Sequence, residues 1–190
     1  MNTTNFKIII LLAFLINILS CKAQTLPLNT DMKDIPTGAY VKDLNNELSP
    51  YIGTYKANFN GNEITLFIIK EENKPTKRLK KNFFRDALVA KYIVKNSTGT
   101  ILQDTKNNNS ANIELYSYYT YPSKNTIVLY YSGTNCRVGW GDIYLKKIGV
   151  NQISWEYRPD DITLDNTTCP PGTDINIYLP ETKDLIFTKQ

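Results

Sequence analysis

From Tyr51 to the C-terminus the chain is cut into short apolar-rich runs joined by tight turns, and that rhythm leaves few folds open. The clearest unit is YIGTYKANFNGNEITLFIIKEE, two such runs joined by Asn60-Gly61. Asn-Gly tolerates the left-handed backbone that a two-residue type I′ hairpin turn needs at both central positions. NIELYSYYTY and KNTIVLYYSG form a second pair across Pro122-Ser123-Lys124-Asn125. GWGDIYLKKIGVNQISWEYRP forms a third, bending at Gly149-Val150-Asn151. Its second arm alternates cleanly, with Ile153, Trp155 and Tyr157 on one side and Ser154, Glu156 and Arg158 on the other. Side chains of a strand point alternately to opposite faces, so this arm has one face made for a core.

In KRLKKNFFRDALVAKYIV, the residues Leu88, Ala90, Tyr92 and Val94 also alternate, so Ala87 to Lys95 reads as a strand. The basic stretch Lys74 to Arg85 before it, with Lys77, Arg78, Lys80, Lys81 and Arg85, reads as a solvated loop. The ending DINIYLPETKDLIFTKQ reads as two last strands around Pro180. The sum is an all-β, antiparallel meander of about eight to ten strands with little helix, closed as a barrel or packed as a two-sheet sandwich. The 13 tyrosines of the 190 residues suit strands.

The N-terminus has a different character. Lys7 is followed by the apolar run Ile8 to Leu19, broken only by Asn17. That run has the length of a secretory leader and is too short to span a bilayer, which takes about 20 residues. Residues 1–20 are therefore expected to be a signal peptide, 21–50 a polar tether or N-terminal wrap containing Pro27, Pro36 and Pro50, and 51–190 the β domain. Ile18-Leu19-Ser20-Cys21 resembles a bacterial lipobox, which makes Cys21 the lipid-bearing first residue and the membrane a partner. A cut after Ala23, leaving Gln24 first in a secreted chain, is the alternative. Either route takes Cys21 out of thiol chemistry. Cys136 and Cys169 remain, and in an oxidising compartment two cysteines are expected to pair, for about 3 to 4 kcal/mol of stabilisation.

The chain has no histidine, which removes Ser-His-Asp and Cys-His catalysis and imidazole metal sites. No Gly-rich phosphate loop is present, and no cofactor is expected. A balance of 22 basic against 18 acidic residues falls short of a nucleic-acid footprint. Several features remain as candidate sites. YSGTNCRVGWGD places Arg137 and Trp140 either on a rim loop that meets a ligand or, as the preferred reading, in a bulged strand with Trp140 in the core. In LYSYYTY, Tyr116 and Tyr118 are expected on one face and Tyr119 and Tyr121 on the other, a stacking platform or plain cross-strand support. Glu114 and Glu156 are the candidate pair for a carboxylate hydrolase. Asp160, Asp161 and Asp165 offer oxygen ligands without EF-hand spacing.

The segments CKAQ, GAYVKDLNNEL, PYIGTYKA, YSGTNCRVGWG, ISWEYRP and YLPETKDLIFTKQ together resemble an uncharacterised family of small exported proteins of the Bacteroidetes group. That resemblance covers nearly the whole chain and implies a cell-envelope or secreted location, with no activity to carry over. Gly53-Thr54-Tyr55 is similar to the Gly-x-aromatic element in the first strand of lipocalin-like barrels. The expectation is an exported, lipid-anchored and non-enzymatic β protein that binds a ligand or partner from a surface or a barrel mouth. A small glycosidase-like hydrolase and a structural envelope component are the alternatives.

Overall fold

A computed structural model describes residues 24–190; Cys21 and the apolar leader lie outside the described residues. Eleven strands follow one another: β1 (Thr25–Pro27), β2 (Tyr40–Lys42), β3 (Gly53–Phe59), β4 (Asn62–Arg78), β5 (Lys81–Lys95), β6 (Ile101–Asp104), β7 (Leu115–Tyr121), β8 (Thr126–Tyr131), β9 (Gly141–Lys147), β10 (Gln152–Tyr157) and β11 (Thr182–Lys189). The helical content of the described residues is confined to single 3₁₀ turns.

Eight of the strands close into an antiparallel barrel in the order β3, β4, β5, β7, β8, β9, β10, β11, with β11 returning to β3. The seam between β5 and β7 is carried by the pair Val89 and Tyr116 and by the Leu88 N–H, which donates to Ser117 Oγ at 2.8 Å. A buried hydroxyl thus replaces a ladder bond where the strands begin to diverge. Asn60 and Gly61 both have positive φ, as a type I′ turn requires, and Phe59 pairs with Asn62 across it. The other two expected hairpins form as read, β7 to β8 and β9 to β10.

The interior is filled. Tyr92, Tyr131, Tyr157, Trp155 and Phe187 form a continuous column of rings, with centroid separations between 5.5 and 6.5 Å. Leu66, Leu88, Leu129, Ile143, Leu145 and Ile153 pack around them. A buried tyrosine or tryptophan needs a partner for its polar tip. Tyr92 Oη donates to Gln103 at 2.5 Å and lies 3.1 Å from Tyr131 Oη; Tyr157 Oη donates to the Gly139 carbonyl; Trp155 Nε1 donates to the Pro180 carbonyl at 2.9 Å. Burial pushes all three phenols up, Tyr131 to about 12, so they stay neutral donors.

That end of the barrel is capped by the loop of Cys136, which is disulfide-bonded to Cys169 across 33 positions. Gly139, at φ +73°, lies so close to Ile177 and Tyr157 Oη that a Cβ there would meet both at under 3 Å. Trp140 is half-buried on this cap and donates to the Asp161 carbonyl at 3.3 Å, so it does not fill the core as preferred above; Trp155 does. Residues 174–180 form no strand either, and one final strand, β11, replaces the expected two. The Pro180 carbonyl is taken by Trp155, and residues 174–181 run over the cap outside any ladder.

The largest departure concerns Lys74 to Arg85. This stretch is not a solvated loop: β4 and β5 continue past the barrel as a two-stranded arm, turning at Leu79-Lys80. The register shifts between Glu71 and Lys74, an irregularity that marks where the arm leaves the barrel ladder. Its inward residues include Thr76, Phe83 and Arg85, all buried. The arm is recruited because the N-terminal segment gives it a second partner. β1 and β2 run parallel to each other, β2 pairs parallel with β5 at Phe84 and Arg85, and Leu28, Ile35, Val41 and Leu48 join the same core as Phe83.

Candidate functional site

The outer wall of β7, β8 and β9 carries an unusual density of phenols. Leu115, Ser117 and Thr120 of β7 are buried, while Tyr116, Tyr118, Tyr119 and Tyr121 are half-buried or exposed. The register slips between Ser117 and Tyr119, so Tyr118 and Tyr119 both oppose the interval from Leu129 to Val128. A bulge of one extra residue restores outward parity to every second tyrosine after it. The expectation of two tyrosines per face therefore fails, and all four share the outer wall with Tyr130 and Tyr144. The doubled tyrosine in Leu-Tyr-Ser-Tyr-Tyr-Thr-Tyr is the signal that was there to be read, one residue too many for an unbroken alternation.

The arm covers one half of this wall. Arg78 lies 3.8 Å from the centre of the Tyr118 ring and 5.6 Å from that of Tyr130, and Lys74 Nζ lies 5.9 Å from that of Tyr116. Cations over ring faces are attracted by the ring quadrupole, most strongly when desolvated. Tyr118 Oη donates to Asp142 Oδ2 at 2.7 Å, and burial followed by the Asp142 charge pushes its phenol well up. Arg85, on the inward side of the arm, is 1 % exposed, with Nε and Nη1 unbonded. Burial first, then the neighbouring Arg78 charge, pushes it down to about 10.

The other half is open. Tyr119 and Tyr121 meet edge to face at 4.9 Å, and Tyr121 and Tyr144 are 39 % and 38 % exposed. They line two adjoining clefts of about 350 and 270 Å³, the first edged by Thr30 to Met32 and the second by Lys124, Lys146, Glu156 and Asp184. Lys124 Nζ stands 5.4 Å over the Tyr121 ring. Stacking, hydrogen bonding from phenols and charge pairing at the edge are what this surface offers.

The remaining candidates are scattered. Arg137 is exposed on the disulfide cap at φ +62°, 5.7 Å from the Trp140 ring. It belongs to a different part of the molecule from Tyr116 and Tyr118. Glu114, just before β7, and Glu156, on β10, edge different clefts, with β8 and β9 between them. Asp165 holds its own turn, accepting from Thr167 and Thr168, and those bonds pull it down to about 2. The Asp161 carbonyl is taken by Trp140, and the Asp160 N–H by the Trp140 carbonyl. Among the described residues no three acidic or cysteine side chains gather to hold a metal ion.

No curated protein and no solved structure matches this chain. The profile of one family spans residues 3–190, and the chain belongs to it: a family of unknown function, DUF6705.

Proposed function

We propose that this protein is exported, held at a membrane by a lipid on Cys21, and acts without catalysis by binding a protein partner on the open tyrosine wall. The carrying observation is the pairing of a filled interior with an aromatic outer face. Lipocalin-type carriage needs an interior cavity, and here that space is occupied by five rings packed edge to face or tilted. Outside, Tyr119, Tyr121 and Tyr144 form an aromatic centre, and Lys124, Lys146, Glu156 and Asp184 form a charged edge of both signs. Protein interfaces share that layout, with tyrosine enriched at their centres and polar residues around them. Export rests on Lys7, the run Ile8 to Leu19 and the lipobox-like Ile18 to Cys21.

A photoreactive residue at Tyr144 tests the binding face in cells that make the protein. The expected result is a discrete covalent adduct that disappears with Tyr121→Ala and is absent when the group stands at Ser97, in the exposed turn after β5. Equal adducts from both positions, or none from Tyr144, would sink the reading. The intact mass of protein extracted from membranes tests the anchor. An acylated N-terminal Cys21 supports it, and a chain starting at Gln24 refutes it.

A further inference from the structure

The two ends of the barrel differ in how their buried polar groups are answered. At the capped end the ring hydroxyls all have partners. At the other end Tyr55 is fully buried with an unbonded hydroxyl, Thr120 is 3 % exposed with an unbonded Oγ1, and Glu47 Oε2 is buried and accepts nothing. Buried polar atoms in native proteins nearly always have a partner, so three orphans at one end mark a place built to meet something. Two of them, Glu47 and Thr120, line a cleft of about 310 Å³ together with Pro50, Tyr51, Ile127 and Lys147, and the Lys147 ammonium links it to Tyr55, standing 6.0 Å from the centre of that ring. That volume is at the lower end of the range for small-molecule sites, about 300 to 1,000 Å³, and so is its makeup of apolar walls with a few polar groups.

We infer that this open end binds a small zwitterion of the amino-acid type with an apolar side chain. The charges are placed for it. Glu47 and Lys147 border the same cleft, and among the described residues neither is in an ion pair, the Lys147 ammonium donating only to the Val150 carbonyl at 2.7 Å. Lys147 Nζ and Lys189 Nζ stand 6.0 and 5.8 Å from the centre of one ring, Tyr55, so two ammonium groups converge with no carboxylate bound to either. Burial first, and then the Lys189 charge, lowers the Lys147 ammonium, the mark of a cation that gains from an incoming anion. A ligand carboxylate meets Lys147, and a ligand ammonium meets the free oxygen of Glu47. The Thr120 hydroxyl can serve either group. Tyr51 is fixed as a wall: its Oη donates to the Asn125 carbonyl at 2.5 Å, the same carbonyl that takes the Lys147 N–H at 2.9 Å. Its ring, with Pro50 and Ile127, leaves apolar surface for the side chain. This cleft adjoins the tyrosine wall, sharing Thr126 with its second cleft, but none of Tyr119, Tyr121 and Tyr144 lines it, and it does not rest on the partner-binding reading.

Leucine, isovalerate and 3-methylbutylamine are the probes, because the last two remove the ammonium and the carboxylate of the first. Titration of the folded protein followed by amide chemical shifts is expected to show leucine moving Thr120, Ile127 and Lys147 at millimolar concentration or below. Each truncated probe should bind at least about tenfold more weakly. Lys147→Met should erase the preference for leucine over the amine, and Glu47→Gln the preference for leucine over isovalerate. No shifts with leucine, shifts placed elsewhere, or equal binding of the three probes would overturn the inference. The amide spectrum of each variant reports its folding, so a lost preference is read only against an unchanged fold.

Discussion

Arg85 and Asp86 are consecutive residues of β5, both charged and both 1 % exposed, and they point to opposite sides of the strand. Their surroundings could hardly differ more. Asp86 Oδ1 accepts from Tyr40 Oη at 2.5 Å and from the Asn73 N–H at 3.0 Å, and Oδ2 from the Asp43 N–H at 3.0 Å. Asp43 extends the network, taking the N–H groups of Glu47 and Leu48 and pairing with Lys70 at 3.1 Å. Arg85 has the Tyr116 and Tyr118 side and the like-charged Arg78 as neighbours, and two of its nitrogens are buried and unbonded. Burial costs a charged group heavily unless hydrogen bonds or an opposite charge replace its water. One side of the strand therefore locks the N-terminal segment and the arm together, while the other holds the arm over the tyrosines with cation–ring contacts alone. The arm is anchored on its outer side and loosely held on its inner side.

The largest effect is expected on the anchored side. Asp86→Ala strands Tyr40 Oη and two main-chain N–H groups, and should cost about 3 kcal/mol or more in denaturant unfolding. A loss below about 1 kcal/mol would show that the network is decorative. The same carboxylate gives the fold an acid limb. Burial alone would raise Asp86, but the bonds from Tyr40, Asp43 and Asn73 together outweigh it and hold the carboxyl below the ordinary range. A folded value below the unfolded one means the contribution is complete above the ordinary aspartate range, about pH 4, and fades as pH falls through the folded value. Asp86→Asn should flatten that part of the stability profile, measured as unfolding free energy against pH.

On the loosely held side the sign reverses. Arg85→Met keeps the apolar stem and discards an unpaired buried charge, so stability should stay level or rise by up to about 2 kcal/mol. A clear loss would mean that the guanidinium's attraction to the neighbouring Tyr116 and Tyr118 outweighs its desolvation. Arg78→Met should behave differently from its neighbour, because Arg78 is half-buried and stacked on Tyr118; a loss of about 1 kcal/mol is expected from the same denaturation experiment.

How much of this was legible in the sequence follows from how local each feature is. The Asn60-Gly61 turn, the alternation from Leu88 to Val94 and that from Ile153 to Tyr157 are written in adjacent residues, and each lies in the structure as read. The family resemblance likewise matched a family of unknown function over nearly the whole chain. The arm is not legible because the six cations in Lys74 to Arg85 look solvated, and what buries Arg85 and Phe83 is a wall and an N-terminal segment far away in sequence. The general burial of indoles points Trp140 into the core. That place is taken by Trp155, and only the tertiary path of residues 158–181 gives Trp140 its partner. The open end was the least visible, since Glu47, Thr120 and Lys147 come from three separate segments and no motif joins them.

Thr120 allows the smallest and most discriminating test, because it is an orphan like Arg85 but without charge. Its hydroxyl is buried and unbonded on the inner side of β7. Thr120→Val removes it while keeping a branched side chain of the same shape, and leaves no donor or acceptor behind. An unanswered hydroxyl costs its desolvation, so the variant should unfold at a slightly higher denaturant concentration, by about 1 kcal/mol. Were the hydroxyl idle, nothing else would change. If it belongs to the proposed zwitterion site, the same substitution weakens leucine binding while it strengthens the fold. Stability and affinity moving in opposite directions distinguishes a group held for a ligand from a packing defect. Both falling together would mean that Thr120 has a partner within the fold after all, and would remove one of the three orphans on which the open end is read as a site.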